Sequence, residues 1–341
     1  YITNMTGPSG QCFNYSDNGL GGSMLPTMFW FADKINDKSL LWSLHDYLET
    51  GRVERSWLTM LWGSSTRLVD VKPPAEKVWV GKGRNPVALM RTSWTDPKAI
   101  YVGFKGGLAR AGHGHMDAGS FIMEADGVRW ASDFGSENYH ALESNGMGMD
   151  LWNDRQESKR WQVFRYNNYV HNTLTVNDKF HIADGYADMV SWSSTPGFMY
   201  AITDMTKVFE GQLSHSLRGV AIVDGHYVVV RDEVTAPDKE ATVRWTMLTT
   251  AEAKIAGRNS IELKKDGKKL TLQVAEPANV TMKTWPTLPS TDYESRNHGT
   301  VLVGFEIKIP AGKSAAMTVK LIPQRAKKTS AKIPELKNWP R

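Results

Sequence analysis

Three of the four Asp-Gly pairs, Asp126-Gly127, Asp224-Gly225 and Asp266-Gly267, punctuate a chain whose second part is built from short runs of β-branched and aromatic residues. Asp-Gly suits the two left-handed positions of a two-residue hairpin loop, so each pair predicts a tight reversal. The runs have strand composition at Val87–Trp94, Ala99–Lys105, Ser120–Ala125, Val128–Ser132, Asn172–Val176, Met189–Trp192, Phe198–Asp204, Leu217–Val223, Tyr227–Glu233, Ala241–Thr249, Lys269–Val274, Val301–Ile309 and Ala315–Leu321. Strands this short and this numerous bury their apolar faces by stacking sheets, which predicts a large antiparallel β-sandwich. No internal repeat of fixed period interrupts the pattern.

The beginning of the chain reads differently. From Leu25 to Trp62 apolar residues recur at helical spacing, at Met28, Phe29, Ala32 and Ile35, then Leu40, Leu41, Leu44 and Leu48, then Trp57, Leu58 and Leu61. Asp37 or Ser39 is placed to cap the second of these short helices. So few helices make little core alone, and they are expected to pack on the following domain or to end a longer helical array. Val71-Lys72-Pro73-Pro74 opens a proline-bearing connection, and strand patterning begins after Asn85-Pro86. The expected organisation is helical over 1–70, linker over 71–86 and β-sandwich over 87–341, an α+β chain in which a short helical segment precedes a large antiparallel multi-sheet domain.

The 341 residues are 41% hydrophobic and 23% charged, which argues against disorder. No stretch reaches the roughly 18 apolar residues of a membrane span, and no nucleic-acid-binding motif is present. The net charge of +5 is compatible with an acidic partner such as a polyanionic sugar. Cys12 is the single cysteine, excluding an intrachain disulfide and a cysteine-rich zinc site. The chain opens on Tyr1 without Met or a leader-like segment, so a truncated beginning is expected. Between Gly135 and Asn168 lies an aperiodic stretch rich in Asn, Trp, Tyr and Arg, long enough to predict a functional loop.

The chemistry concentrates in Gly112-His113-Gly114-His115-Met116-Asp117-Ala118-Gly119-Ser120-Phe121. If the histidines sit at a strand start, side chains two apart share a face and look into one site. Asp133 follows the Asp126-Gly127 hairpin, and His171 precedes another strand, so His115, Asp133 and His171 form a possible nitrogen and oxygen set for Zn²⁺, which accepts such ligands more readily than Ca²⁺ or Mg²⁺. Equally, each of them can be a polar residue at a strand end, bonded to backbone.

Those residues, with Asp133-Phe134-Gly135, Tyr139 and His171-Asn172-Thr173-Leu174, resemble the signature region of the heparinase II/III-like polysaccharide lyases, over roughly 110–176. The resemblance implies an α/α toroid followed by a multi-sheet antiparallel β domain, with the substrate in the cleft between them. It matches His115, Asp133 and His171 to the family's zinc ligands and His113 to the histidine that reaches the substrate. The implied reaction is β-elimination at a uronic acid in an acidic polysaccharide such as a glycosaminoglycan or alginate. An exported location, periplasmic or secreted, follows from such a substrate.

His113 and Tyr139 are the candidate catalytic residues, since loss of a weakly acidic C5 proton requires a base and an acid within hydrogen-bond reach. Arg165, Tyr166 and Tyr169 are candidate substrate contacts, Arg165 through a sugar carboxylate or sulfate. Family members draw a further catalytic tyrosine from the toroid, well over a hundred residues before the position of His113. That distance runs past Tyr1, so the chain is expected to lack this tyrosine and most of the toroid, which would be a partner from the same parent chain. The alternatives are a non-catalytic carbohydrate-binding sandwich with a structural zinc and a zinc-dependent hydrolase.

Overall fold

The computed structural model describes residues 1–22, 25–50, 56–327 and 332–340. The chain starts with a single helical turn, α1 (Ile2–Met5), and an extended segment, followed by α2 (Thr27–Lys34), a 3₁₀ helix at Lys38–Leu44, α3 (His45–Glu49) and α4 (Trp57–Gly63). Asp37 caps the 3₁₀ helix, its side chain accepting from the Ser39 amide. Met28, Phe29, Ala32, Leu41, Leu44 and Val71 form the small helical core. The expected apolar face of α4 is not buried by the described residues: Trp57 is 67%, Met60 68% and Leu61 61% exposed.

The first sheet contains β1 (Val78–Val80), β2 (Val87–Arg91), β3 (Tyr101–Lys105), β4 (Phe121–Ala125) and β5 (Val128–Ala131), in that order and wholly antiparallel. β1 lies inside the stretch expected to be linker and pairs Val78 with Met90, so strand structure begins at Val78 rather than after Pro86. Beyond α5 (Tyr139–Leu142) come β6 (Leu174–Val176), β7 (Asp188–Ser193), β8 (Phe198–Asp204), β9 (His215–Val223), β10 (Tyr227–Thr235), β11 (Ala241–Thr249) and β12 (Glu252–Gly257). The last strands are β13 (Ser260–Lys265), β14 (Lys268–Glu276), β15 (Lys283–Trp285), β16 (Val301–Ile309) and β17 (Ser314–Pro323). An eight-stranded sheet runs β12-β13-β14-β17-β10-β9-β8-β7, and a four-stranded sheet runs β15-β16-β11-β6.

These three Asp-Gly pairs between strands turn as their chemistry requires, with φ of 58° and 73° at Asp126-Gly127, 51° and 67° at Asp224-Gly225, and 50° and 71° at Asp266-Gly267. The main core draws Met90, Phe104, Phe121 and Trp130 from the first sheet, Val220, Val230, Leu272 and Val319 from the second, and Leu174, Trp245 and Phe305 from the third. β2, β3 and β4 are buried at every position because their other face is covered as well. Met5 and Phe13 of the initial segment pack there against Val87, Leu89, Tyr101 and Ile122. A Cβ on Gly103 would lie 2.5 Å from the Phe13 ring, so glycine is what lets that segment lie flat on the sheet. Residues 1–22, expected to belong with the helices, are therefore partly a cover for the first sheet.

Buried polar staples tie the sheets together at the end where the histidines lie. Arg218 on β9 donates to Asp232 at 2.6 Å and to the carbonyls of Gly119 and Asn172 at 2.8 and 2.9 Å. Asn172 donates to the carbonyls of Phe121 and Ser132, and its Oδ1 accepts from the Leu248 amide.

Nearby, His181 is buried, its Nε2 pairing with the Leu174 carbonyl, and burial pushes its pKa down to about 3. A base whose pKa is depressed on folding makes the unfolded state the stronger proton binder below its unfolded value of 6.5. Stability should therefore fall as pH drops, by about 2 kcal/mol between pH 7 and 5 from this residue alone. Denaturant titrations at both pH values should show that increment in the wild type and its loss in His181→Gln.

Candidate active site

The loop between β3 and β4 carries both histidines and is closed at its base by Lys105 N to Ser120 O at 2.9 Å and Gly119 N to Lys105 O at 2.8 Å. Its tip is irregular rather than extended. His113 has φ of 61°, and a Cβ on Gly114 would come within 2.3 Å of the Ala109 carbonyl. The shared-face geometry of a strand therefore does not apply. His115 is buried while the His113 side chain is 61% exposed, and what unites them is a residue from elsewhere in the chain.

That residue is Asp17. Its Oδ1 lies 3.0 Å from His115 Nε2, and its Oδ2 lies 3.0 Å from His113 Nδ1 and accepts from the Tyr139 hydroxyl. His113 Nδ1 is also 2.8 Å from the Tyr139 hydroxyl. Asp17 is aimed by its neighbour Ser16, held at φ of 50°, whose amide and hydroxyl donate to Asp117 Oδ2 at 2.9 and 3.1 Å. Lys105 completes the clamp, its Nζ 2.6 Å from Asp117 Oδ1 with both side chains fully buried. Burial alone would raise the Asp117 pKa, but Lys105, His171 and His115 together outweigh it and hold the carboxyl at about 2.

Below this cluster, His171 Nδ1 pairs with Asp133 Oδ2 at 2.8 Å. The His115 and His171 rings are 5.5 Å apart, and His115 Nδ1 and His171 Nε2 are buried with no hydrogen-bond partner. Burial lowers the His115 pKa, whereas at His171 burial is outweighed by Asp133 and the shift is upward. Two orphaned imidazole nitrogens side by side suit a metal, since a bare nitrogen buried without a partner is otherwise costly. The full expected set is not drawn together as a cage: Asp133 serves His171 directly. Among the described residues the three metal-ligating side chains whose ligand atoms all lie within 4.8 Å of one another are His45, Asp46 and Glu49, at the surface of the helical part.

Asp17 and His113 line a cleft of about 1080 Å³. Its walls come from the initial segment, from Trp42–Thr50 of the helical part and from the Ser93–Pro97 loop of the first sheet, so it lies between the helices and the β domain. The family described as Heparinase II/III-like, C-terminal, matches residues 88–318, more than half of the chain. The chain belongs to the heparinase II/III-like family.

Solved structures agree on the fold. A heparinase III crystal structure superimposes with a TM-score of 0.67 at 13% identity, covering 96% of this chain and 48% of that one. Heparan sulfate lyase HepC from Pedobacter heparinus gives 0.65 at 14% identity, over 96% of this chain and 46% of that one. Another heparinase III gene product gives 0.65 at 18% identity, over 95% and 45%. The chain thus spans about half the length of these heparinase structures. No curated protein matches it in sequence.

Within this heparinase-like frame the remaining candidates separate. Tyr139 lies beside His113, and Trp152 joins them, its ring 4.9 Å from Tyr139 and 5.9 Å from His113. Tyr166 does not line an open cleft: it is fully buried, its ring 4.5 Å from His115 and under the Arg160 guanidinium. Tyr169 packs on Phe180 and donates to the Asp178 carbonyl. Arg165 spends its donors on Asn297 and the Ser136 carbonyl and lies 3.6 Å from Glu137, which leaves its fork closed to a substrate carboxylate. Sequence reasoning missed Asp17. It sits in the same Phe13–Asp17 run as Tyr15, but nothing local marks an acid whose partners lie some hundred positions away.

Proposed function

We propose that this chain is the end of the helical toroid together with the β domain of a polysaccharide lyase that cleaves a uronate-containing acidic polysaccharide by β-elimination. The observation that carries the reading is the exposed imidazole of His113, braced by Asp17 and Tyr139 and lining the cleft between the helices and the β domain. His113 Nε2 takes the C5 proton, the C5–H electron pair forms the C4=C5 double bond, and the C4–O bond breaks. The Tyr139 hydroxyl gives its proton to the departing oxygen, and the 2.8 Å contact to His113 Nδ1 offers the path by which the proton is returned.

Zinc fits the orphaned nitrogens below. His115 Nδ1 and His171 Nε2 would hold it, with Asp133 bracing His171 from behind, and when bound it would supply rigidity to the loops that carry His113 and Asp133. No helix among the described residues is long and apolar enough to cross a membrane, and a polymeric substrate places the protein in the periplasm or outside the cell. Activity belongs to the full-length protein, in which further toroid helices would cover the exposed face of α4 and supply another tyrosine.

Absorbance near 232 nm, released by the full-length protein from glycosaminoglycans or alginate, tests the lyase reading. Cleavage without unsaturation would replace it with hydrolysis, and binding without cleavage with a carbohydrate-binding module. Elemental analysis should find about one zinc per chain, lost in His115→Ala or His171→Ala. Protein purified without chelator and devoid of zinc would overturn the metal assignment.

A further inference from the structure

We infer that Asp17 is a shared positioning residue that sets opposite tautomers on the two histidines of the His113-Gly114-His115 motif, turning one toward substrate and the other toward metal. An ionised carboxylate only accepts hydrogen bonds. Facing Asp17 Oδ2 at 3.0 Å, the neutral His113 ring carries its proton on Nδ1, which leaves Nε2 bare on an exposed ring. Facing Asp17 Oδ1 at 3.0 Å, His115 must carry its proton on Nε2, which leaves Nδ1 bare, and Nδ1 is the buried atom without a partner. One carboxylate therefore presents a basic nitrogen at the cleft and a ligand nitrogen in the interior.

The same oxygen that holds His113 also accepts from Tyr139, so the general acid and base of the proposed reaction are oriented through one group. The clamp behind it explains why a residue so far away in sequence can do this. Ser16, left-handed at φ of 50° and bonded to Asp117, and Lys105, bonded to Asp117 from the far side, allow Asp17 little freedom. His113 is itself left-handed at φ of 61°, so both sides of the contact are held in backbone conformations that non-glycine residues adopt only when their surroundings impose them. His171 shows the parallel arrangement, with Asp133 on Nδ1 and a buried Nε2 without a partner. A carboxylate behind a metal-binding imidazole fixes the ring and raises its basicity.

The inference rests on the lyase reading for the role of His113, but its primary test does not involve substrate. Two-bond ¹H–¹⁵N correlation spectra of the full-length protein, labelled on histidine, should show His113 with its proton on Nδ1 and His115 with its proton on Nε2. In Asp17→Asn, His113 should move toward the Nε2-protonated form. Zinc dissociation constants from chelator competition should rise about 10–100-fold. If the protein is a lyase, kcat should fall about 10²–10⁴-fold with KM changed by less than about threefold. A merely structural role would lower the melting temperature and leave the tautomers and the kcat to KM pattern alone. A wild-type spectrum with His113 protonated on Nε2 overturns the inference even if the variant does not fold. So does a folded Asp17→Asn protein with unchanged tautomers and zinc affinity. Absence of unsaturated product from the wild type would remove the lyase reading and leave the tautomer result standing.

Discussion

Replacing His113 by alanine in the full-length protein should lower kcat for release of unsaturated uronate by about 10²–10⁴-fold, the usual contribution of a positioned general base. His113 is the imidazole that reaches the cleft, while His115 and His171 are buried below it. The substitution removes the proton acceptor and one of the three groups on Asp17, but none of the orphaned nitrogens, so zinc content should not change. His140→Ala is the matching control. That histidine is exposed on α5 one residue from Tyr139, and its loss should leave the rate within about twofold, in line with ordinary surface substitutions. Steady-state rates at 232 nm with zinc quantified on the same samples check both statements. Equal loss in the two variants would mean that the loop, not the imidazole, is what matters.

Lys105→Met should lower unfolding stability by about 3–5 kcal/mol, the cost of leaving a buried charge without its partner. Lys105 and Asp117 are both fully buried, 2.6 Å apart, and after the substitution Asp117 keeps only the Ser16 amide and hydroxyl. Denaturant midpoints of the single variants and of Lys105→Met/Asp117→Leu should show recovery in the double variant, because removing both charges leaves neither exposed to the low-dielectric interior. The effect should also reach the site, since Asp117 anchors the Ser16-Asp17 turn. Zinc affinity falling in the single variant would report that coupling. A Lys105→Met protein as stable as the wild type would show that the pair contributes nothing net.

Much of the fold was legible along the chain because local chemistry dictated it. The three Asp-Gly pairs between strands turn because their backbones enter left-handed space with little strain, and Phe198–Asp204, Ala241–Thr249 and Val301–Ile309 are strands to the residue because β-branched runs between turns have few other options. The expected set lacks β1, β12, β13 and β15, of which only β13, with Ile261 and Leu263 buried at period two, carried a clear local signal. β12 is an exposed edge strand without an apolar face, β15 is three residues long, and β1 follows the prolines of the expected linker. Residues 1–22 were grouped with the helices because no periodicity shows that Phe13 lies on the sheet beneath a glycine.

The site divides along the same line. By itself the sequence determined which chemistry is available: two histidines two apart, a carboxylate after a hairpin, a histidine before a strand and a nearby tyrosine, all short-range facts of order and spacing. Only the tertiary structure decided which of them meet. His113 and His115 point to different environments because their loop is irregular, Arg165 is occupied by Asn297, Tyr166 is a buried platform, and Asp17, 96 residues before His113, joins the histidines to Tyr139. Contacts of that separation are set by how the initial segment packs on the first sheet and by the Lys105–Asp117 clamp, and packing of distant segments leaves no periodicity in the residues that take part in it.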